Sequence, residues 1–311
     1  MSADAWQDVS RRQPCPICGK PDWCSVAIDG SPYAICRRVF EGAVRIKMDR
    51  NGGEFAVHRL SESVPHLLKR LRPSKRNAPC AIPEMRDKVY SRVLALLQLR
   101  SQHKDNLNVR GLSDREIEHR RYRSTPVGSV VWDIGDAIVR EFGLDVCKTI
   151  PGLSAKRVLS STMCRIVCGA GLLIPVRNLQ GGIVALKVRL DDPADGGKYR
   201  YVTSSGEGGP SPGQQVHVPL FPKHFDGIVR LTEGELKADV ASARSGVWTI
   251  SIPGVQSWSL AVPVLKEMQA RTVVLAFDAD AKTNRVVARA LVMAAKALEE
   301  EGFQTEMEQW S

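Results

Sequence analysis

Four of the eight cysteines lie within the first 36 residues, at Cys15, Cys18, Cys24 and Cys36, and no other feature restricts the fold of this chain so tightly. Cys15-Pro16-Ile17-Cys18-Gly19 is a tight knuckle that turns two thiolates toward one tetrahedral metal, with Gly19 supplying backbone freedom. Cys24 and Cys36 flank an apolar stretch with Asp29-Gly30 at its middle. Folding that stretch into a hairpin sets the two cysteines opposite each other. The spacing therefore predicts a four-cysteine zinc ribbon, with His58 as the substitute ligand should Cys24 not take part. Four thiolates leave no open position for water, so such a zinc is structural. Function would lie in what the ribbon displays: Lys20, Arg37, Arg38, Arg45 and Lys47, interleaved with Trp23 and Tyr33. Cations among aromatics suit a single strand of nucleic acid, whose bases stack and whose phosphates pair. Trp23 and Tyr33 serve equally well as the ribbon's own small core.

The rest of the composition agrees with a nucleic-acid-handling protein. The formal charge of +10 and isoelectric point near 9.3 point to a polyanionic partner. A hydrophobic fraction of 43% is that of a core-forming chain, and 311 residues give room for two or three domains. The N-terminus lacks an apolar core of signal-peptide length, and no stretch reaches the roughly 18 apolar residues of a membrane helix. A cytoplasmic location is expected, where cysteines are metal ligands or buried thiols rather than disulfides. Cys164 and Cys168 have ligand spacing but sit beside Ile166 and Val167, which places them in a core.

The chain divides at changes of pattern. Residues 1–60 form the ribbon. Residues 61–84 are a basic, proline-broken linker carrying Lys69, Arg70, Arg72, Lys75 and Arg76. Residues 85–225 begin helical, with Val89, Val93, Leu94 and Leu97 on one side and a capping box at Ser113–Glu116. They turn β-rich from about Leu172, with a strand on each side of Gly181-Gly182, and 191–217 reads as loop. Residues 226–311 have α/β rhythm: strands at 228–232, 247–252 and 272–277, a helix at 234–245 stopped by Gly246, and a long helix from about 284 to 301. The fold class expected is multidomain α/β, with a parallel sheet whose site lies at the carboxyl ends of its strands.

At those ends stand Glu233-Gly234-Glu235 and Asp278-Ala279-Asp280. A parallel sheet projects both turns from one edge, so Glu233, Asp278 and Asp280 offer hard oxygen ligands to Mg²⁺ or Mn²⁺. Metal held this way serves chemistry on phosphates.

The segment from about Asp226 to Trp310 resembles a TOPRIM domain, the metal-binding fold of bacterial-type primases, topoisomerases and some nucleases. Its glutamate before glycine maps to Glu233, and its acidic pair to Asp278 and Asp280. The preceding stretch is similar to the basic subdomain of bacterial replicative primases, through Ile174-Pro175, Gly181, Arg189, Lys198-Tyr199 and Ser204-Ser205. With the ribbon, the order of parts is that of a bacterial or phage-type DNA primase, closest to primase-like proteins of phages and mobile elements. The chain departs from that pattern at Lys237, where the family usually has an acid, with Asp239 two residues on.

The resemblance implies primer synthesis on single-stranded DNA from nucleoside triphosphates, by metal-dependent nucleotidyl transfer in DNA replication. Glu233, Asp278 and Asp280 would be the catalytic, magnesium-binding acids. Arg177, Lys187, Arg189, Lys198 and Arg200, together with Arg37 and Arg38 of the ribbon, would contact the nucleic acid. A separately encoded helicase would be the partner. Two other readings remain: a TOPRIM nuclease, and a non-catalytic single-stranded-DNA-binding accessory, which Lys237 would favour by setting an ammonium in a metal's place.

Overall fold

The computed structural model describes residues 6–11, 13–28, 31–49, 53–60, 78–158, 161–193, 197–220, 224–277 and 285–309. Residues 61–77 of the basic linker expected over 61–84, the Asp29-Gly30 turn and Asp278–Asp280 lie outside these residues, while Pro83 and Glu84 begin a helix. The chain forms two compact units, one centred on residues 1–76 and the other on 77–255 with 260–278 and 297–311. Residues 256–259 and 279–296 cluster with the first unit. No helix among the described residues is long and apolar enough to cross a membrane.

The first unit is an antiparallel sheet built from β1 (Trp6–Asp8), β2 (Ser25–Ala27), β3 (Tyr33–Cys36), β4 (Arg45–Met48) and β5 (Glu54–Arg59), in the order β1-β2-β3-β5-β4. The β2–β3 pair is the expected hairpin, with Ser25 opposite Ile35 and Val26 opposite Ala34. Its small core consists of Cys15, Cys24, Cys36, Val9, Val26, Ala34 and Leu60. Three of these seven side chains are thiols, so a metal can supplement the hydrophobic core in a domain of this size.

The second unit opens with α1 (Pro83–Ala95), α2 (Ser101–Val109) and α3 (Asp114–Arg120). Ser113 caps α3 through the reciprocal box with Glu116 that the sequence predicts. Then come β6 (Arg123–Ser124), α4 (Val130–Phe142), α5 (Leu144–Thr149) and the hairpin β7 (Leu153–Val158)–β8 (Ser161–Ile166). Gly135 lets α4 lie directly on β8, since a Cβ there would sit 1.9 Å from the Cys164 carbonyl oxygen. Cys147 and Cys164 are buried in the core beside these elements, with Cys168 packed against it.

An antiparallel sheet follows, ordered β11-β10-β9-β6, from β9 (Gly171–Arg177), β10 (Ile183–Leu190) and β11 (Tyr199–Tyr201). β11 lies inside the 191–217 stretch expected as loop. Its Tyr-Arg-Tyr sequence completes the sheet against β10 despite the Gly, Ser and Pro around it. Leu186 and Val188 of β10 enter the core with Val89, Tyr90 and Ile138. Alternation then turns Lys187 and Arg189 to the opposite face, beside Ile174 and Leu172 of β9.

The last elements are β12 (Ile228–Glu233), α6 (Glu235–Ser245), β13 (Trp248–Ile252), α7 (Ala261–Glu267), β14 (Thr272–Phe277), α8 (Arg285–Glu300) and β15 (Gln304–Gln309). All neighbouring pairs in the order β13-β12-β14-β15 are parallel, as the α/β rhythm requires. β15 was not expected from the sequence. Leu236 of α6 joins Leu107, Ile117, Tyr122, Leu172 and Ile174 in one apolar cluster. α6 therefore packs against β12 and β13 and also against the face of the antiparallel sheet that carries Leu172, Ile174, Lys187 and Arg189.

Candidate metal centre and phosphate-handling face

The sulfurs of Cys15, Cys18, Cys24 and Cys36 all lie within 4.8 Å of one another. The knuckle presents two of them and the hairpin the other two, with Cys24 Sγ 3.7 Å from Cys18 Sγ and 3.8 Å from Cys36 Sγ. The backbone N–H groups of Arg38 and Val39 donate to Cys36 Sγ at 3.5 and 3.3 Å. Such donors stabilise thiolate charge and orient the ligand. Burial opposes ionisation of Cys18, yet the Lys20 N–H and the neighbouring thiols draw it down to about 7. Burial pushes the Cys24 thiol up. Four converging sulfurs, three of them buried, offer an all-sulfur donor set that fits Zn²⁺. His58 is not part of the cluster: its Nε2 bonds the Val39 carbonyl at 2.8 Å, one residue from the thiolate-supporting turn.

The ribbon's candidate nucleic-acid residues are held in place. Arg38 is ion-paired to Asp22 and lies over the Trp23 ring, 4.8 Å from its centroid. Trp23 is 66% exposed, so its ring is a surface feature and not ribbon core. Arg37 pairs with Asp49 at 2.6 Å and covers Phe55.

In the second unit, Glu233 is the last residue of β12, a central strand. β14 runs parallel beside it, with Leu231 opposite Leu275, and ends at Phe277, one residue before Asp278. Asp278 and Asp280 themselves lie outside the described residues. Gly234 takes φ +86°, a left-handed conformation that lets the chain turn from Glu233 straight into α6.

The five cations proposed for this unit occupy different environments. Arg189 is half-buried on the face that meets α6, and its Nε is buried with no hydrogen-bond partner. Lys198 and Arg200 are exposed at β11, the sheet's edge strand. Lys187 is buried, its Nζ 2.6 Å from Glu235 Oε1 and 4.6 Å from the centre of the Tyr201 ring. Arg177 is buried too, donating from Nη1 to the Gly181 carbonyl and from Nη2 to the Arg120 carbonyl. Lys237 is half-buried on α6.

The sequence reading noticed Asp239 only as the nearest acid beyond Lys237. It is a fully internal charge centre: Tyr122 Oη donates to it at 2.5 Å, and Arg120 Nε at 3.2 Å. His217 Nε2 stands 3.4 Å away, near enough for attraction but not aligned as a hydrogen bond. Burial alone would raise the Asp239 carboxyl, but the attraction of His217 and Arg120 outweighs it and holds the group below its ordinary value. The signal for this centre was the i, i+3, i+4, i+7 set Glu235, Ala238, Asp239 and Ser242, all buried along one side of α6.

The fold is similar to that of solved bacterial primase domains. The structure of those two domains from Aquifex aeolicus primase is similar at TM-score 0.55 and 13% identity, covering 73% of this chain and 55% of that one. The E. coli primase catalytic core is similar at TM-score 0.52 and 16% identity, over 74% of this chain and 72% of that one. The RNA polymerase domain of Mycobacterium tuberculosis primase DnaG, in complex with a double-stranded DNA oligomer with a 6-nucleotide overhang, matches at TM-score 0.51 and 15% identity, over 73% and 72% of the two chains. Residues 223–311 match a family described as a domain of unknown function, DUF3854. No curated protein matches the chain.

Proposed function

We propose that this protein is a primase-type nucleotidyltransferase that holds single-stranded DNA and joins nucleoside triphosphates into short primers. The observation that carries the reading is the order and form of its parts. A four-thiolate ribbon comes first, then an antiparallel sheet with cations at its edge, then a parallel sheet whose central strand ends in Glu233. The likeness in fold to the Aquifex primase structure, over 73% of this chain and 55% of that one, supports the reading.

In this mechanism Lys198 and Arg200 pair with template phosphates from the sheet edge, and Arg189 does so from the face beside α6. The ribbon presents Trp23, backed by Arg38, as a stacking platform for a template base. Glu233, Asp278 and Asp280 would offer an all-oxygen donor set suited to Mg²⁺ or Mn²⁺. Such a cation supplies neutralisation of the charge that develops on the transferred phosphate. Glu233 would also accept the proton of the attacking 3′-hydroxyl.

The test is incubation of the full chain with single-stranded DNA, labelled nucleoside triphosphates and Mg²⁺ or Mn²⁺. Short labelled oligonucleotides are expected. Degradation of the strand would make the protein a nuclease instead, and tight binding without product would make it an accessory.

A further inference from the structure

A parallel sheet buried on both faces is ordinarily apolar on both. One face of β12 and β13 keeps that rule, with Val229, Leu231, Ile250 and Ile252. The face that α6 covers does not. Arg230 Nη1 of β12 reaches Ser245 Oγ of α6 at 3.1 Å and Thr249 Oγ1 of β13 at 3.4 Å. Alternate residues of a strand share a face, so Thr232 and Ser251 also point toward α6. Thr232 stands beside Ser251 in the parallel register. On the other side of Ser251, His217 is joined to it by a pair of backbone hydrogen bonds of 2.8 and 2.9 Å. The row His217, Ser251, Thr232 therefore crosses the sheet beneath α6. Above it lie Asp239, 3.4 Å from His217 Nε2, and Ser242 on the same buried side of the helix.

This seam is shut off from bulk solvent, and its polar atoms outnumber their partners. Thr232, Ser251, His217 and Ser242 are each 3% exposed or less. Thr232 Oγ1, Ser251 Oγ, Ser242 Oγ and His217 Nε2 are buried without a hydrogen-bond partner in the protein. The His217 nitrogen is a donor: Nδ1 accepts the Arg177 N–H at 3.1 Å, so the ring proton sits on Nε2. Asp239 is not aligned to receive it. Folded proteins leave few buried polar atoms unpaired. Four in one seam is the setting that internal water satisfies, since a buried water makes about three hydrogen bonds to such groups.

We propose that the seam between α6 and strands β12 and β13 is a binding site for ordered water, held by His217 Nε2–H and the hydroxyls of Thr232, Ser242 and Ser251. The chemistry selects water over an ion. A fixed N–H donor and the Arg120 guanidinium on Asp239 disfavour a cation, and the Asp239 carboxylate disfavours an anion. Hydroxyls that both donate and accept match a neutral ligand that does the same. Water there completes the hydrogen bonding of a polar helix face laid on a polar sheet face.

The experiment joins a high-resolution crystal structure of the full chain with thermal unfolding of Thr232→Val. Electron density is expected to show water within hydrogen-bond distance of at least two of the four groups. Valine has the shape of threonine without the hydroxyl, so the substitution separates a wet seam from a dry one by sign. In a wet seam it takes a partner from the bound water, and the second unit's melting temperature should fall by about 2–4 °C. In a dry seam it removes an unpaired hydroxyl, and the melting temperature should hold or rise. A seam without water in the density, or a melting temperature that holds or rises, overturns the inference. Should Thr232→Val fail to fold, the wild-type density decides alone.

Discussion

The cysteine cluster and the buried acids of α6 are two ways of holding negative charge inside a protein. In the ribbon, the four sulfurs come from one short stretch of chain and lie within 4.8 Å of one another, a donor set suited to a metal. Along α6, Glu235 and Asp239 are each answered by side chains from elsewhere in the fold: Lys187 on β10, Arg120 on α3, Tyr122, and His217. The first centre is completed by an ion from outside, the second by the fold itself. Metal removal and single substitutions should therefore affect them differently.

The largest effect is expected at the ribbon. Structural zinc contributes on the order of 10–16 kcal/mol of apparent folding free energy in small zinc domains. Chelation, or Cys36→Ser, should release about one zinc per chain and unfold residues 6–60, as read by a colorimetric zinc assay and amide exchange. The second unit should keep its melting transition. If the ribbon's amides stay protected without zinc, the contrast between the two centres fails.

The next effect belongs to Asp239. Asp239→Ala strands Arg120 without its carboxylate and should cost about 3–5 kcal/mol in chemical denaturation. The pH dependence has a definite sign. An acid held below its ordinary value of 3.8 stabilises the fold above that pH, and the stabilisation is lost as pH falls toward the lower folded value. Asp239→Asn should accordingly flatten the acid limb of the stability profile. An unchanged limb would mean that the centre carries no charge.

A smaller effect is expected on binding. Lys198→Ala should weaken single-stranded-DNA affinity and lower the salt dependence by about one counterion, by fluorescence anisotropy across a salt series. An unchanged slope would remove Lys198 from the template path. The smallest effect is at the edge of the zinc site, where His58→Gln should cost about 1 kcal/mol and retain zinc. Loss of metal in that variant would return His58 to the ligand set.

The same contrast explains what was legible in the sequence. The ribbon site was readable because its ligands and their hairpin are local, and Cys-Pro-Ile-Cys-Gly encodes its own turn. Strands 172–176, 183–189 and 272–277, the α3 cap and the Gly246 stop were readable for the same reason: periodicity and capping are short-range. The buried charges were not. Lys187 and Arg177 look in sequence like any other cations near Arg189. Only strand alternation and the docking of α6 separate the internal pair from Lys198 and Arg200 at the edge. β11 was hidden by its loop-like surroundings, and β15 by its charged and polar residues, which suit an edge strand. At the turn after β12, Glu233 was legible through the glycine that follows it, whereas the ion pair of Glu235 depends on a residue 48 positions earlier.

The central claim is that this fold performs template-directed nucleotidyl transfer through Glu233, and it is tested most directly by priming on single-stranded DNA with wild type and Glu233→Gln side by side. The account predicts short template-complementary products from wild type, and none from the variant at unchanged DNA affinity. Equal product from both proteins would contradict it, as would a wild type that binds the strand and the metal yet makes no product.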